Sequence, residues 1–215
     1  MNLCAYFLQN REAIVAAILR HLELFGLAMS ISIVLGLAIS LAASARPRAK
    51  SARAILNCAA AFQAVPSIAV VALVFLVLGI GIKPAVAALS VYSLAPIIFN
   101  SVSGIASADR RAVEAAEAIG YTGAQILFKV KLPLAFPVIM GGIRSAATIN
   151  IGTAAVASVI GGGGLGDFIF FGLRLRNDAA ILIGAGLSAL LAILIDAVLA
   201  AFEKALTSKG LSSHR

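Results

Sequence analysis

The chain has 215 residues, is 61% hydrophobic and only 12% charged, and has a mean hydropathy of +1.05. Soluble domains are nearer half apolar and a quarter charged, so a soluble enzyme, a disordered tail and a disulfide scaffold all fit poorly. Seventeen Lys+Arg against nine Asp+Glu give a net charge of +8; most of these charges fall between long apolar runs, which reads as a membrane-topology signal rather than a nucleic-acid footprint.

Arg11 and Glu12 precede the first long apolar run, and no basic segment leads into an apolar one at the start. The N-terminus therefore does not look like a cleaved signal peptide, and the first span serves as its own insertion signal. Residues 12–22 carry Ile14, Val15, Ile18 and Leu22 at helical spacing, which predicts a separate interfacial amphipathic helix. Cys4 and Cys58 offer neither metal-ligand spacing nor a disulfide framework. His21 and His214, isolated near the two ends, read as surface or interfacial residues.

A helix crossing the hydrocarbon core needs about 20 mostly apolar residues. Five segments qualify: Leu24–Ala43, Ala54–Ile80, Pro84–Ile105, Val138–Ile160 and Ala180–Phe202. They are continuously apolar, whereas barrel strands alternate in and out, so the expected class is an all-α integral membrane protein. Pro66 sits in the middle of the second segment, where it kinks one long helix or separates a short helix from a spanning one. Five spans are expected, with six as the alternative, and Gln63 and Ser67 beside the proline are candidates to satisfy the carbonyls it frees.

With five spans, eleven Lys and Arg fall on one side: Arg46, Arg48, Lys50, Arg53, Arg110, Arg111, Lys129, Lys131, Lys204, Lys209 and Arg215. Arg11, Arg20, Lys83, Arg174 and Arg176 fall on the other. The positive-inside rule places the larger set in the cytoplasm, the N-terminus outside and the C-terminus inside. Gly141, Gly142, Ala146, Ala147 and Gly152 make span four the expected central helix, because small residues let helix backbones approach.

Residues 107–133 are too polar to span and predict two short cytoplasmic helices. Asp109 is placed to cap the first, over about Arg110–Ile119, and Gly120 suits its left-handed end. Thr122 with Gln125 three residues on has capping-box spacing for the second, which Pro133 is expected to stop. Such a hairpin serves equally as a well-capped linker or as a surface seated in a partner's groove.

Glu114-Ala115-Ala116, three residues, Gly120, nine residues and then Val130-Lys131-Leu132-Pro133 resembles the EAA motif of ABC-importer permeases, with Val130 where Ile is usual. The resemblance implies that Glu114, Ala115, Ala116, Gly120, Leu132 and Pro133 belong to coupling helices that dock on an ATPase subunit. Gln63-Ala64-Val65-Pro66-Ser67 and Ile149-Asn150-Ile151-Gly152-Thr153-Ala154, followed by Gly161-Gly162-Gly163-Gly164-Leu165-Gly166-Asp167, resemble the glycine betaine, carnitine and choline importer subfamily. The whole chain, 1–215, is then one transmembrane domain with the five-helix core of a type I importer. Its implied partners are an ABC ATPase, an extracytoplasmic binding protein, a second permease copy or paralogue, and membrane lipids. ATP and Mg²⁺ would be bound by the ATPase, and this chain itself is expected to hold no cofactor or metal, bind no nucleic acid and catalyse nothing.

The glycine cluster lacks the Gly-Lys-Ser/Thr of a phosphate loop and does not sit between a strand and a helix. It reads either as a flexible turn or, through Gly162, Gly163, Gly164, Gly166 and Asp167, as part of an outer gate or binding-protein contact. Polar groups inside membrane segments are costly and default to functional candidates. Gln63, Pro66, Ser67, Asn150, Thr153 and Asp196 are therefore candidates for a weakly binding pathway, with Arg144, Tyr92 and Asn100 also lying in spans. Asp196 either attracts a cationic group or pairs within the bundle. No intramembrane ion pair is evident from the sequence. With no Trp and only Tyr6, Tyr92 and Tyr121, an aromatic cage for a quaternary ammonium is not expected in this chain.

Overall fold

The computed structural model describes residues 3–45 and 49–206, with the side chains of 49–52 outside the description. The predicted cytoplasmic cations Arg46, Arg48 and Lys50, and the tail's Lys209, His214 and Arg215, also lie outside it. The described residues are helical: α1 Leu3–Gln9, α2 Arg11–Ser44, α3 Ala49–Gln63, α4 Ser67–Leu78, α5 Ile82–Ala106, α6 Arg110–Ala118, α7 Gly123–Ile126, α8 Leu132–Ala157, α9 Leu165–Leu175 and α10 Asp178–Leu206. A π turn, Leu127–Lys131, joins α7 to α8, and a 3₁₀ turn, Ser158–Ile160, ends α8. Among the described residues four helical runs are long and apolar enough to cross a membrane, namely α2, α5, Gly123–Ile160 and α10, and there are five if the broken pair α3–α4 counts as one span. The five-span expectation agrees with this.

Three elements differ from the sequence reading. Residues 12–22 do not form a helix of their own but open the single 34-residue α2; Glu23 between Leu22 and Leu24 interrupts the hydrophobicity without interrupting the backbone ladder. Pro133 does not stop a helix. It occupies the second position of α8, and the Leu132 N–H bonds back five residues to the Leu127 carbonyl. This wider turn takes up the donor that proline lacks and the space its ring needs, so the helix continues. The third is α9, which the glycine-rich stretch concealed.

The chain forms two compact units. Unit one comprises Met1–Ser32, Val65–Ser93 and Ala147–Asp196. Its core joins Leu24 and Ala28 of α2, Val71 of α4, Ala85, Val86, Ala88 and Leu89 of α5, and Ala154 and Ala157 of α8. A second cluster packs Tyr6 of α1, Ile14 of α2 and Ala179, Ala180 and Ile183 of α10, with Phe168 of α9 against it. Hydrogen bonds reinforce the apolar packing: Ser32 Oγ donates to the Ser90 carbonyl at 3.0 Å. Such bonds between helices contribute about 1 kcal/mol each in a membrane setting.

Unit two comprises Ile33–Ala64, Leu94–Ala146 and Ala197–Arg215. Small residues set its spacing. A Cβ on Gly142 of α8 would lie 2.6 Å from Asn100 Cβ of α5, and one on Gly36 of α2 would lie 2.7 Å from Ile97 Cγ2. Ala146 and Ala147 are buried as predicted for a central helix, but Gly141 and Gly152 face open space. The sequence pattern held five small residues, and only those on one side of α8 serve packing. An ion pair absent from the sequence reading joins α8 to α10: Arg144 Nη1 lies 3.1 Å from Glu203 Oε2, with both side chains largely covered. Fifty-nine residues separate the partners, so local spacing gives no hint of it.

Candidate functional site

The 107–133 hairpin is built as its sequence dictates. Asp109 Oδ1 accepts from the Arg111 N–H at 3.0 Å and caps α6. Gly120 has φ +85°; its N–H bonds to the Glu117 carbonyl while the Tyr121 N–H reaches the Ala116 carbonyl, both at 3.0 Å. These paired bonds close the helix as a left-handed cap that a Cβ would strain. The Thr122 N–H then bonds to Gln125 Oε1 at 2.8 Å, and the Gln125 N–H bonds to Thr122 Oγ1 at 3.3 Å, completing the capping box.

On this frame Ala116 is buried while Glu114, Ala115, Gly120 and Pro133 are exposed and Leu132 is half-buried. Glu114 Oε1 pairs with Arg110 Nε at 2.6 Å one turn back, an exposed pair that fixes a rotamer more than it stabilises. Lys129 Nζ lies 5.5 Å from the centre of the Tyr121 ring. Two large apolar side chains on the hairpin face outward: Ile119 is 72% and Phe128 59% exposed. Beside them opens a cleft of about 370 Å³ lined by Ser44, Val113, Glu117, Ile126, Phe128 and Lys131 among others. Exposed apolar side chains rimmed by charge have the chemistry of a protein-contact surface. The sequence reading missed Ile119 and Phe128 as contact residues; an apolar residue just before the cap glycine was the signal for Ile119, and Phe128 had none.

The glycine cluster is a clamped turn, not a flexible one. Gly161, Gly163 and Gly164 all have positive φ, of 81°, 79° and 92°. Gly162, Gly164 and Gly166 are buried. A Cβ on Gly162 would sit 2.8 Å from the Ala157 carbonyl oxygen, and one on Gly166 would collide with the Ala155 carbonyl. The Gly81 N–H bonds to the Ile160 carbonyl at 2.8 Å, and Arg20 Nε donates to the Gly162 carbonyl at 3.0 Å. Asp167 falls in the first turn of α9. It is exposed as a residue, yet burial of its carboxyl raises its pKa above the usual aspartate value.

His21 was expected at the surface and is instead fully buried. Its Nε2 lies 3.1 Å from the Ile151 carbonyl of α8, and its Nδ1 accepts from the Leu165 N–H of α9 at 3.3 Å. The polar pair of ring nitrogens finds two backbone partners distant in sequence, which is how a buried imidazole is accommodated.

The pathway candidates lie in different surroundings. Gln63 ends α3 and is exposed; Pro66 is exposed and Ser67 half-buried at the start of α4. Pro66 caps α4 with its carbonyl, which receives the Ala69 and Val70 N–H groups at 2.9 and 3.3 Å. The Val65 carbonyl receives the Tyr92 hydroxyl at 3.2 Å. Tyr92, rather than Gln63 or Ser67, thus serves the carbonyl beside the break, because the broken helix turns that carbonyl toward α5. Asn150 is fully buried: its Nδ2 donates to Ser93 Oγ at 2.7 Å and to the Leu89 carbonyl at 3.4 Å, which commits the nitrogen to α5, while its Oδ1 has no hydrogen-bond partner among the described residues. Thr153 is likewise buried. Asp196 is half-buried on α10 and engaged by neighbouring groups. Among the described residues no group of His, Cys, Asp and Glu has the arrangement of a metal site.

Comparison with known proteins agrees with this architecture. The family described as "Binding-protein-dependent transport system inner membrane component" matches residues 32–208. The glycine betaine/carnitine/choline transport system permease protein OpuCB of Bacillus subtilis (strain 168) is 41% identical over 187 residues, 86% of each chain. The choline transport system permease protein OpuBB of the same organism is 42% identical over 84% of each chain. The carnitine transport permease protein OpuCB of Listeria monocytogenes is 34% identical over 98% of this chain and 95% of its own. In fold, a chain of the inward-facing MetNI methionine ABC transporter superposes with a TM-score of 0.82 at 22% identity, covering 93% of this chain and 99% of that one.

Proposed function

The chain belongs to the family of binding-protein-dependent transport system inner membrane components, and from that premise we propose that it is the permease subunit of an ATP-driven ABC importer for quaternary-ammonium osmoprotectants, such as glycine betaine, choline, carnitine and proline betaine. The observation that carries the solute class is the 41–42% identity to glycine betaine/carnitine/choline and choline permeases along 84–86% of the chain. Its partners are an ABC ATPase, which binds ATP and Mg²⁺, an extracytoplasmic binding protein, and a second permease copy or paralogue. The N-terminus lies outside and the C-terminus in the cytoplasm.

In this reading the ATPase grips the hairpin at Glu114, Ala115, Ala116 and Gly120, with Ile119 and Phe128 as apolar anchors. ATP-driven closure pulls on α7, and because the π turn carries the helix past Leu132 and Pro133 into α8, the pull enters a membrane span without a hinge. Gln63, Pro66, Ser67 and Asp196 contact the passing solute weakly, since a path that holds its cargo cannot release it. Asn150 and Thr153 support that path from within the α5–α8 packing. The glycine turn with Asp167 forms the outer gate or binding-protein contact. Solute choice rests mainly with the binding protein, because this chain has no Trp and only three Tyr with which to enclose a quaternary ammonium.

The test is uptake into proteoliposomes holding the permease with candidate ATPase and binding-protein partners from neighbouring reading frames. Uptake of labelled glycine betaine, choline or carnitine that requires ATP and the binding protein supports the assignment. Transport by the chain alone down a gradient overturns the importer reading, and ATP-dependent uptake of an amino acid alone overturns the solute class.

A further inference from the structure

We infer that His21 is a positioning residue for the glycine turn: its neutral imidazole, carried on α2, ties the backbone of α8 to the first amide of α9 and fixes the turn in a single shape. The inference rests on the reading of that turn as the gate or binding-protein contact. Both residues involved, Arg20 and His21, precede the segment 32–208 that the family description covers.

The geometry selects one protonation form. A carbonyl oxygen needs a donor, so Nε2, 3.1 Å from the Ile151 carbonyl, carries the proton; an N–H needs an acceptor, so Nδ1, 3.3 Å from the Leu165 nitrogen, is bare. Leu165 is the first residue of α9, whose opening N–H groups have no partner inside the helix. The residue before it, Gly164, has no side chain with which to cap them. His21 therefore acts as an N-cap delivered from another helix.

The approach is close enough to demand glycine. A Cβ on Gly164 would meet His21 Nδ1 at 3.2 Å and its Cα and Cβ at 3.3 Å, at a φ of +92°. The preceding residue on α2, Arg20, holds the same turn through the Gly162 carbonyl at 3.0 Å while its Nη1 pairs with Glu23 at 2.7 Å. Two consecutive side chains thus grip the turn at two carbonyl or amide groups, one on each side of Gly163. Backbone bonds from Gly161 and Gly162 to the Ser158 and Ala157 carbonyls cap α8 and set the start of the turn; this grip holds its far side, Gly163 and Gly164, where glycine has the widest choice of backbone conformations.

His21→Ala tests this in the assembled transporter, read as the ratio of binding-protein-stimulated to basal ATP hydrolysis. That ratio is expected to fall about tenfold, as for loss of a buried hydrogen-bonded group. His21→Gln, which keeps one donor and one acceptor, should recover it to within about threefold. Gly164→Ala, which pushes a methyl group onto the imidazole, should reproduce the loss with His21 intact. Hydrogen exchange of the purified chain gives a readout independent of transport: amides at residues 165–167 should exchange faster in the His21→Ala variant and be restored by Gln. An unchanged ratio with unchanged exchange overturns the inference. So does a general loss of protection across α2 and α8 that Gln does not rescue, because that is a packing defect. A wild-type assembly with no stimulated hydrolysis overturns the importer reading instead, and the exchange measurement still decides the role of His21.

Discussion

Gly141 and Gly142 are chemically identical neighbours on α8, and the structure assigns them opposite responses to the same added methyl group. A Cβ on Gly142 would lie 2.6 Å from Asn100 Cβ and 2.9 Å from the Pro96 carbonyl oxygen. Neither can step aside cheaply: the oxygen is α5 backbone, and Asn100 Nδ2 is itself bonded to it at 2.8 Å. Overpacking costs about 1–3 kcal/mol and disturbing that hydrogen bond about 1 more, against about 1 regained from alanine's helix propensity. Gly142→Ala should therefore lose about 1–3 kcal/mol. Gly141 meets nothing within 4 Å, so Gly141→Ala keeps the propensity gain of up to about 1 kcal/mol. Heating the detergent-solubilised chain and measuring the surviving monodisperse fraction by size exclusion separates the two. At roughly 2–4 °C per kcal/mol for a chain of this size, their midpoints should differ by roughly 5–15 °C. Equal midpoints, or a lower one for Gly141→Ala, would refute the close approach of α5 and α8 in unit two.

Two further perturbations probe the same unit. Glu203→Gln strips the charged partner from Arg144 and should cost about 1–3 kcal/mol, between the values for surface and buried pairs; a double-mutant cycle with Arg144→Met should show coupling well above 0.5 kcal/mol, and additive losses would remove the pair from the account. Gly120→Ala should strain the hairpin by about 1–2 kcal/mol because its φ is positive and weaken ATPase co-purification, whereas Gly123→Ala, in open space on α7, should leave co-purification intact.

Where local chemistry decides the outcome, the sequence was readable. The caps at Asp109 and Thr122 and the left-handed Gly120 follow from side chains reaching two or three residues along their own chain. The spans follow from apolar run length, and the motif resemblance supplied the family. Pro133 misled because proline's missing donor is a local penalty, while its remedy, the π turn at Leu127–Lys131, depends on backbone register one turn earlier. The surroundings of His21, Arg144 and Tyr92 were not legible for a different reason. Each has a partner far along the chain, 130, 59 and 27 residues away respectively, and no periodicity connects them. Asn150 is buried in α8 with its Nδ2 spent on Ser93 and Leu89 of α5, partners 57 and 61 residues away that no local pattern reveals, while its Oδ1 is left without a partner among the described residues.

The distribution of glycines carries the last step of the argument. Gly142 and Gly36 serve helix contact, Gly120 serves a cap, and Gly161–Gly164 serve a turn. In the last group the two ends are held differently: Gly161 and Gly162 cap α8 through bonds to the Ser158 and Ala157 carbonyls, and Gly163 and Gly164 lie against Arg20 and His21 of α2. A contact glycine loses its purpose if the neighbouring helix moves, and a cap glycine is fixed by its own helix. The Gly161 end is therefore fixed by α8 itself, whereas the Gly163–Gly164 end depends on two adjacent residues of α2. Removing Arg20 and His21 would free that end while leaving the α8 cap in place. Side chains on Gly162 and Gly166 would run into the Ala157 and Ala155 carbonyls, so glycine is required here by close packing as well as by backbone angle, which a linker would not need.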